Sequence, residues 1–166
     1  ESLQAGMSVE EILSEDWVAS ALEERKARQA VLNQAISQNL EIVDRLAIVR
    51  MEDAGMRSNG YRITAIAGDS CDACVVVHGD VGASFGDQDV YPVSASFYTN
   101  SFLHSEGGLY DLTKLATRFD PDGGGHANAC GCRIQPIVDG ERVERQVEID
   151  DIDRNLEVWL SMWGER

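Results

Sequence analysis

A stretch near the N-terminus, residues 15–40, contains neither glycine nor proline and is rich in alanine, leucine, glutamate, arginine and glutamine. Most of these residues favour helix, so the stretch is expected to form one long helix. Ser14 is a good N-cap residue, and Glu15 and Asp16 suit the positive end of the helix dipole. Apolar residues at near-helical spacing predict one buried face, and they are Val18, Leu22, Leu32, Ile36 and Leu40. Any sheet must therefore come from the rest of the chain.

The rest of the chain alternates between strand and helix patterns. Residues 42–50, 61–67 and 90–98 are rich in β-branched residues or alternate polar with apolar ones, which predicts strands. Pro92 favours an edge position for the third of these, because proline cannot donate a ladder hydrogen bond. Residues 73–78 fit either a buried strand or the end of a short helix.

The C-terminal third continues this mixture. A helix is expected over residues 109–119 and an amphipathic helix over residues 152–163. Between them, Asp139-Gly140 predicts a hairpin that joins residues 132–138 to residues 143–149. The order of elements predicts an α+β fold, in which a mixed β-sheet has flanking helices and a long N-terminal linking helix.

Length and charge set bounds on the domain and its partners. The 166 residues suit one domain over residues 15–166, with residues 1–14 as a lead-in or linker remnant. Twenty-nine acidic and fourteen basic residues give a net charge of −15, which excludes a broad surface for coating nucleic acid. The acid excess and the presence of only two lysines, Lys26 and Lys114, fit either a halophilic protein or a well-solvated acidic one.

Four cysteines fall in two close pairs, Cys71 with Cys74 and Cys130 with Cys132. A chain of this length can bury a core without disulfides, so a reducing, cytoplasmic location is expected. A zinc site of four thiolates is one interpretation of the two pairs, although the spacing of the second pair is tighter than usual. Packing of small residues is the other.

The most informative stretch contains three consecutive glycines, Gly123, Gly124 and Gly125, followed by His126. Glycines permit positive φ and expose consecutive backbone N–H groups, and a helix that began at His126 would direct more N–H groups at an anion. Residues 107–133 carry three basic and three acidic residues, so this segment is neutral within an acidic chain. The pattern predicts either a receptor for a phosphate or carboxylate, or a tight turn with a capping histidine.

A longer motif surrounds these glycines. Residues 111–119 read DLTKLATRF, and residues 123–131 read GGGHANACG. Together they resemble the C-terminal DHH-associated domain, of the first type, of the DHH-family phosphoesterases, in which a D-L-x-x-L-A-x-x-F helix leads into a GGGH turn and small residues. Cys130 stands at one of the small-residue positions, so the resemblance favours packing as the role of this cysteine.

The resemblance implies the substrate-binding half of a hydrolase. In the family, an N-terminal DHH domain of the same protein holds two Mn²⁺ ions, and the C-terminal domain grips the phosphate of a small nucleotide or short oligonucleotide. Carried over, the glycines of the GGGH turn offer backbone N–H groups and His126 contacts the phosphate. Asn128 and Arg118 join them as candidate substrate-binding residues because they lie nearby in sequence.

The chain departs from the family pattern in three respects. It contains no Asp-His-His sequence, so no catalytic residue, metal ligand or cofactor is assigned within it. Many members carry a Ser-x-Arg pattern in the strand before the helix, whereas this chain has Ser94 and Ser96 there and no arginine. Residues 120–122 lengthen the turn before the glycines and add two carboxylates.

Two further hypotheses stand beside this one. A related domain in alanyl-tRNA synthetases helps to hold tRNA, so the chain is alternatively a non-catalytic nucleic-acid or tRNA-binding module. The helix over residues 15–40 is also a candidate surface for a homodimer. No membrane partner is expected, since no apolar run approaches the roughly 18 residues of a membrane span.

Overall fold

The computed structural model describes residues 6–84, 86–87 and 90–166 of the chain. Its helices are α1 (Val9–Leu13), α2 (Asp16–Asn39), α3 (Gly60–Ala67), α4 (Thr113–Ala116) and α5 (Ile149–Gly164). Its strands are β1 (Leu40–Val43), β2 (Leu46–Glu52), β3 (Ala73–Gly79), β4 (Ser94–Thr99), β5 (Gly124–His126), β6 (Ala129–Arg133), β7 (Ile137–Val138) and β8 (Glu141–Arg142). Within the described ranges, every helix is too short or too polar to cross a membrane.

The chain divides into two compact units, Glu1–Ala35 and Ile36–Arg166. The described part of the first unit is helical. Helix α1 begins at a capping box, in which Ser8 and Glu11 each accept the backbone N–H of the other at 3.2 and 2.8 Å. Helix α2 is present as predicted but begins at Asp16, and Ser14, expected as its N-cap, is the C-cap of α1 instead. The expectation of one buried face is wrong. The one buried residue of α2 is Ile36, which belongs to the second unit.

The second unit is built on a six-stranded mixed sheet in the order β1-β2-β3-β4-β6-β5. Strands β2 and β3 are parallel, and helix α3 lies in the connection between them. The remaining neighbours in this sheet are antiparallel. The α+β class, with a mixed sheet, flanking helices and a long N-terminal helix, is therefore confirmed.

One face of this sheet forms the hydrophobic core. Alternate residues of the central strands point into it, and helices α4 and α5 cover it with leucine, isoleucine and tryptophan side chains. The rings of Phe97 and Trp159 meet edge to face at 4.9 Å between centroids, and both side chains are fully buried. This packing holds β4 and β6 side by side, so the opposite face of the same strands has a fixed shape.

Residues 61–67, expected as a strand, form helix α3. Asn59 caps the helix by accepting the backbone N–H of Arg62 at 3.1 Å. Gly60 lies directly on the ring of Tyr98, where a β-carbon would come within 2.2 Å of Cδ2. Capping and close packing against the sheet thus decide the conformation of a segment whose alternating pattern is compatible with either element.

Other differences follow from tertiary pairing. The expected edge position of the strand after Pro92 is wrong, since β4 lies in the interior of the sheet. Pro92 precedes β4 and so removes no hydrogen bond from its ladder. The helix expected over residues 109–119 is reduced to α4. The hairpin at Asp139-Gly140 is confirmed, but its second strand is β8 rather than residues 143–149. The closing helix is confirmed and begins earlier than expected, as α5.

Candidate functional site

The side of strands β4, β5 and β6 opposite the core carries three parallel rows of residues. Partners in a ladder point to the same face of a sheet, so the register assigns each row. The middle row is Gly124, Gly131 and Ser96, from β5 through β6 to β4. It is almost bare of side chains, and we call it the groove floor.

The two rows beside the groove floor bear larger side chains. On one side, the register places His126, Ala129 and Tyr98 in a line from β5 to β4. On the other side, Arg133 of β6 pairs with Ser94 of β4. The groove is therefore a strip of exposed backbone with His126 and Tyr98 along one side and Arg133 along the other.

The three glycines before His126 differ in the space around the position that a β-carbon would take. A β-carbon on Gly123 would lie 2.4 Å from the carbonyl oxygen of Ala116, and one on Gly125 would lie 2.7 Å from that of Ala129. Gly124 has φ +148°, and nothing lies within 4 Å of the position that its β-carbon would take. Close packing thus explains the outer two glycines, whereas Gly124 leaves open space in which a ligand can approach the backbone.

The expectation that a helix begins at His126 is wrong. Gly124, Gly125 and His126 form strand β5, which pairs with β6 and lies at the edge of the sheet. An edge strand presents backbone N–H and C=O groups that no neighbouring strand uses. Because β5 pairs with β6 along one side, alternate N–H groups of this segment face away from the ladder, at a sheet edge rather than at a helix terminus.

The tip of the β5–β6 hairpin is tied to the surrounding loops by Asn128. Its side-chain oxygen accepts the backbone N–H of Gly108 at 2.8 Å and the hydroxyl of Thr99 at 3.1 Å. Its carbonyl accepts the backbone N–H of Thr99, and Ala127 accepts that of Leu112. The geometry gives Asn128 a positioning role for His126, and direct contact with a ligand stays a prediction.

The additional carboxylates of residues 120–122 brace the same hairpin. Asp120 is 2% exposed and accepts the backbone N–H of Arg133 at 2.8 Å and its guanidinium at 2.7 Å, and Asp122 pairs with that guanidinium at 2.6 Å. Burial alone would raise the pKa of Asp120, but these hydrogen bonds outweigh it and the pKa is lowered. The longer turn thus fixes Arg133, which remains 43% exposed at the groove.

Beyond Ser94, the same face continues to His78 on β3. Burial and the nearby charge of Arg57 lower the pKa of His78, which favours the neutral imidazole. The guanidinium of Arg57 stacks over the ring of Tyr91 at 3.8 Å from its centroid. This end of the groove adds one exposed arginine and one neutral histidine.

Arg118 follows α4, and its guanidinium lies over the ring of Phe119 at 4.4 Å. Helix α4 packs on the core face of the sheet, opposite the groove floor. Binding of a ligand by Arg118 stays a prediction.

Sequence reasoning missed Tyr98 and Ser96 as groove residues. The signal that identifies them is their pairing with β6, which local periodicity does not reveal.

Two larger cavities, each of about 440 Å³, lie elsewhere in the second unit. Their linings combine acidic and basic side chains, and Arg154 and Glu157 belong to both. The groove, in contrast, lies beside the glycines and His126.

The residues that the structure describes contain no group of three or more His, Cys, Asp or Glu side chains arranged to hold a metal ion. The four cysteines are free and buried. Cys130 and Cys132 belong to the core face, whereas Cys74 pairs with Tyr98 on the groove face. The sheet separates the two pairs, which excludes the four-thiolate zinc site and leaves packing.

Comparison with known proteins finds likeness in structure rather than in sequence. No family model matches the chain, and no curated protein sequence matches it. The fold is similar to part of a pGpG-specific phosphodiesterase, PggH, from Vibrio cholerae, with a TM-score of 0.65 and 19% identity. That similarity covers 95% of this chain and 46% of the phosphodiesterase.

A second solved structure shares the fold at a greater distance. It is an exopolyphosphatase-related protein from Bacteroides fragilis, with a TM-score of 0.51 and 14% identity, over 97% of this chain and 41% of that one. At these identities the likeness establishes the fold. The chain therefore has the fold of a region that makes up less than half of each of two larger proteins, one a phosphodiesterase and the other related to exopolyphosphatases.

Proposed function

We propose that this chain is the substrate-binding domain of a metal-dependent phosphoesterase of the DHH family, and that it grips the phosphate of a small nucleotide or short oligonucleotide. The observation that carries the proposal is the open backbone at Gly124 beside His126, in an edge strand that pairs with β6 along one side. The motif resemblance and the fold shared with a phosphodiesterase support it.

Binding follows from the chemistry of the groove. Neighbouring N–H groups in a strand point in opposite directions, so one of Gly124 and Gly125 would donate its N–H to a phosphate oxygen while the N–H of the other faces β6. His126 would donate another hydrogen bond from its ring. Arg133 is braced by Asp120 and Asp122, whose two carboxylates more than offset its charge. It would therefore add guanidinium hydrogen-bond donors beside the floor rather than net positive charge. A single anionic group thus fits a locally favourable strip of a protein that repels longer polyanions.

The described residues do not fit a metal centre, so the Mn²⁺ ions are assigned to an N-terminal DHH domain of the same protein. The role proposed for this chain is to hold the far end of the substrate and so to fix its reacting bond relative to that domain. We therefore expect the 166-residue chain to bind the phosphate of its ligand weakly and not to hydrolyse the phosphoester bond.

The test is an NMR titration of the ¹⁵N-labelled chain with a 5′-phosphorylated dinucleotide and with the corresponding nucleoside, which carries no phosphate. We expect the phosphorylated ligand to shift the amide signals of residues 123–126 and to bind more tightly. His126→Ala should weaken its binding about tenfold, the loss of one hydrogen bond to a charged group. His104→Ala is the control, because His104 contacts Asp72 instead.

Equal binding of the two ligands, or equal effects of the two histidine variants, would refute the phosphate site. Hydrolysis of the dinucleotide by the chain and Mn²⁺ alone would refute the division of labour between domains. A steep loss of affinity with salt would favour the tRNA-binding alternative, because a long polyanion releases many counterions whereas one phosphate releases few.

A further inference from the structure

An exposed aromatic pair lies at the end of the groove remote from β5. Tyr61, at the start of α3, is 50% exposed, and its ring lies 5.4 Å from that of Tyr98 at an interplanar angle of 60°. Tyr98 is in the same cross-strand row as His126. We call these two residues the tyrosine pair, and neither ring belongs to the hydrophobic core between the sheet and helices α4 and α5.

The ring of Tyr98 is held in position by its neighbours. The bare α-carbon of Gly60 lies against it, where a β-carbon would come within 2.2 Å. Partial burial raises the pKa of its hydroxyl, so the ring is neutral over the physiological range. Tyr61 rests on this fixed ring with half of its surface in solvent, which suits it to receive a flat partner.

The spacing along the row matches the two ends of a nucleotide. Neighbouring strands are about 4.8 Å apart, so two strand spacings place the backbone of His126 about 10 Å from that of Tyr98. Ala129 lies between them with only a methyl group, which leaves room over the sheet. A ribose bridges a phosphate and a base over a distance of this order.

We infer that the tyrosine pair stacks the base of a nucleotide whose phosphate lies at His126 and Gly124. This inference rests on the proposed function and deepens it, because it names the residues that hold the base of the nucleotide. Base stacking on an aromatic side chain is largely independent of base identity, so the pair selects nucleotides as a class.

The experiment compares adenosine 5′-monophosphate with ribose 5-phosphate, which carries the same phosphate and sugar but no base. NMR titration of the ¹⁵N-labelled 166-residue chain gives both dissociation constants. We expect the mononucleotide to bind about tenfold more tightly, as stacking of one base predicts. Tyr61→Ala should abolish this preference while leaving the affinity for ribose 5-phosphate unchanged, and Tyr61→Phe should retain the preference.

Three results would overturn the inference, and they are distinguishable. If both ligands bind equally to the unaltered chain, the base is not held, although the phosphate site stands. If Tyr61→Ala weakens both ligands by the same factor, Tyr61 supports the fold of the groove rather than a base. If neither ligand binds, the proposed phosphate site fails and the base site fails with it.

Discussion

The two faces of the sheet at β4 and β6 differ sharply, although they alternate along the same strands. On the core face, Ala95 and Phe97 are at most 1% exposed, and helices α4 and α5 lie over them. On the groove face, Ser94, Ser96 and Tyr98 are partly exposed. Because side chains alternate in a strand, one face can be packed for stability while the other stays free to bind.

This contrast explains why small residues are concentrated on the groove face. Gly131 and Gly124 leave the backbone bare opposite Ser96, whereas the intervening positions of β6 are filled by Cys130 and Cys132 in the core. A strand that packs against the core on one face and binds a ligand on the other needs large side chains only at every second residue. If the two faces are independent, a substitution on the core face should change stability and one on the groove face should change binding.

The largest effect is expected on the core face, from Trp159→Ala. Trp159 is 1% exposed and meets Phe97 edge to face, so its removal leaves a cavity that should lower the free energy of unfolding by about 3–5 kcal/mol. Urea denaturation measures the change, and Trp17→Ala is the control, because Trp17 is 65% exposed. If the two variants lost the same free energy of unfolding, packing of α5 on the sheet would not be a main source of stability.

A smaller loss is expected from Asp151→Asn at the start of α5. The carboxylate is buried and accepts guanidinium hydrogen bonds from Arg145 at 2.6 and 2.7 Å and from Arg154 at 2.9 Å. Burial raises its pKa, but these hydrogen bonds and backbone N–H groups outweigh burial and hold the pKa at about 2. Removing the charge should lower the free energy of unfolding by about 2 kcal/mol at neutral pH.

The pH dependence of this loss has a defined sign. A carboxylate with a lowered pKa in the folded state stabilises the fold above its ordinary pKa of 3.8, and that contribution disappears as the pH falls towards 2. The difference between Asp151→Asn and the unaltered chain should therefore shrink over this interval. Denaturation curves at several pH values measure it, with Asp150→Asn as the exposed control. A difference independent of pH would contradict the ion-pair account.

The sequence was sufficient for elements whose signals are local. The long helix α2, the turn at Asp139-Gly140 and the closing helix α5 were each predicted from composition, turn residues or periodicity. Helix α3 was not, because a short segment such as Tyr61-Arg62-Ile63-Thr64 satisfies both periods. The choice was made by the cap at Asn59 and by packing on Tyr98.

The candidate site was predictable only in part, for the same reason. Consecutive glycines before His126 indicate an open backbone whether the segment is a helix start or a strand. The open backbone at Gly124 was therefore predictable, whereas its position in an edge strand was not. The groove floor depends on which residues of β4 and β6 face each other. That register is set by packing of the opposite face, and nothing local to Ser96 reveals it.

The smallest effect on stability, and the most direct test of independence, is expected from Ser96→Val. Valine suits a strand and would project over the groove floor, so stability should change by less than about 0.5 kcal/mol. Phosphate binding should weaken about tenfold, because the branched side chain would occupy the groove floor and keep the ligand from the backbone. The matched control is Ala95→Val, one residue away, which overfills the core and should lower stability by about 1–3 kcal/mol without altering binding. If both variants lost binding in proportion to stability, the faces would be coupled, and the groove would owe its shape to the core rather than to its own bare residues.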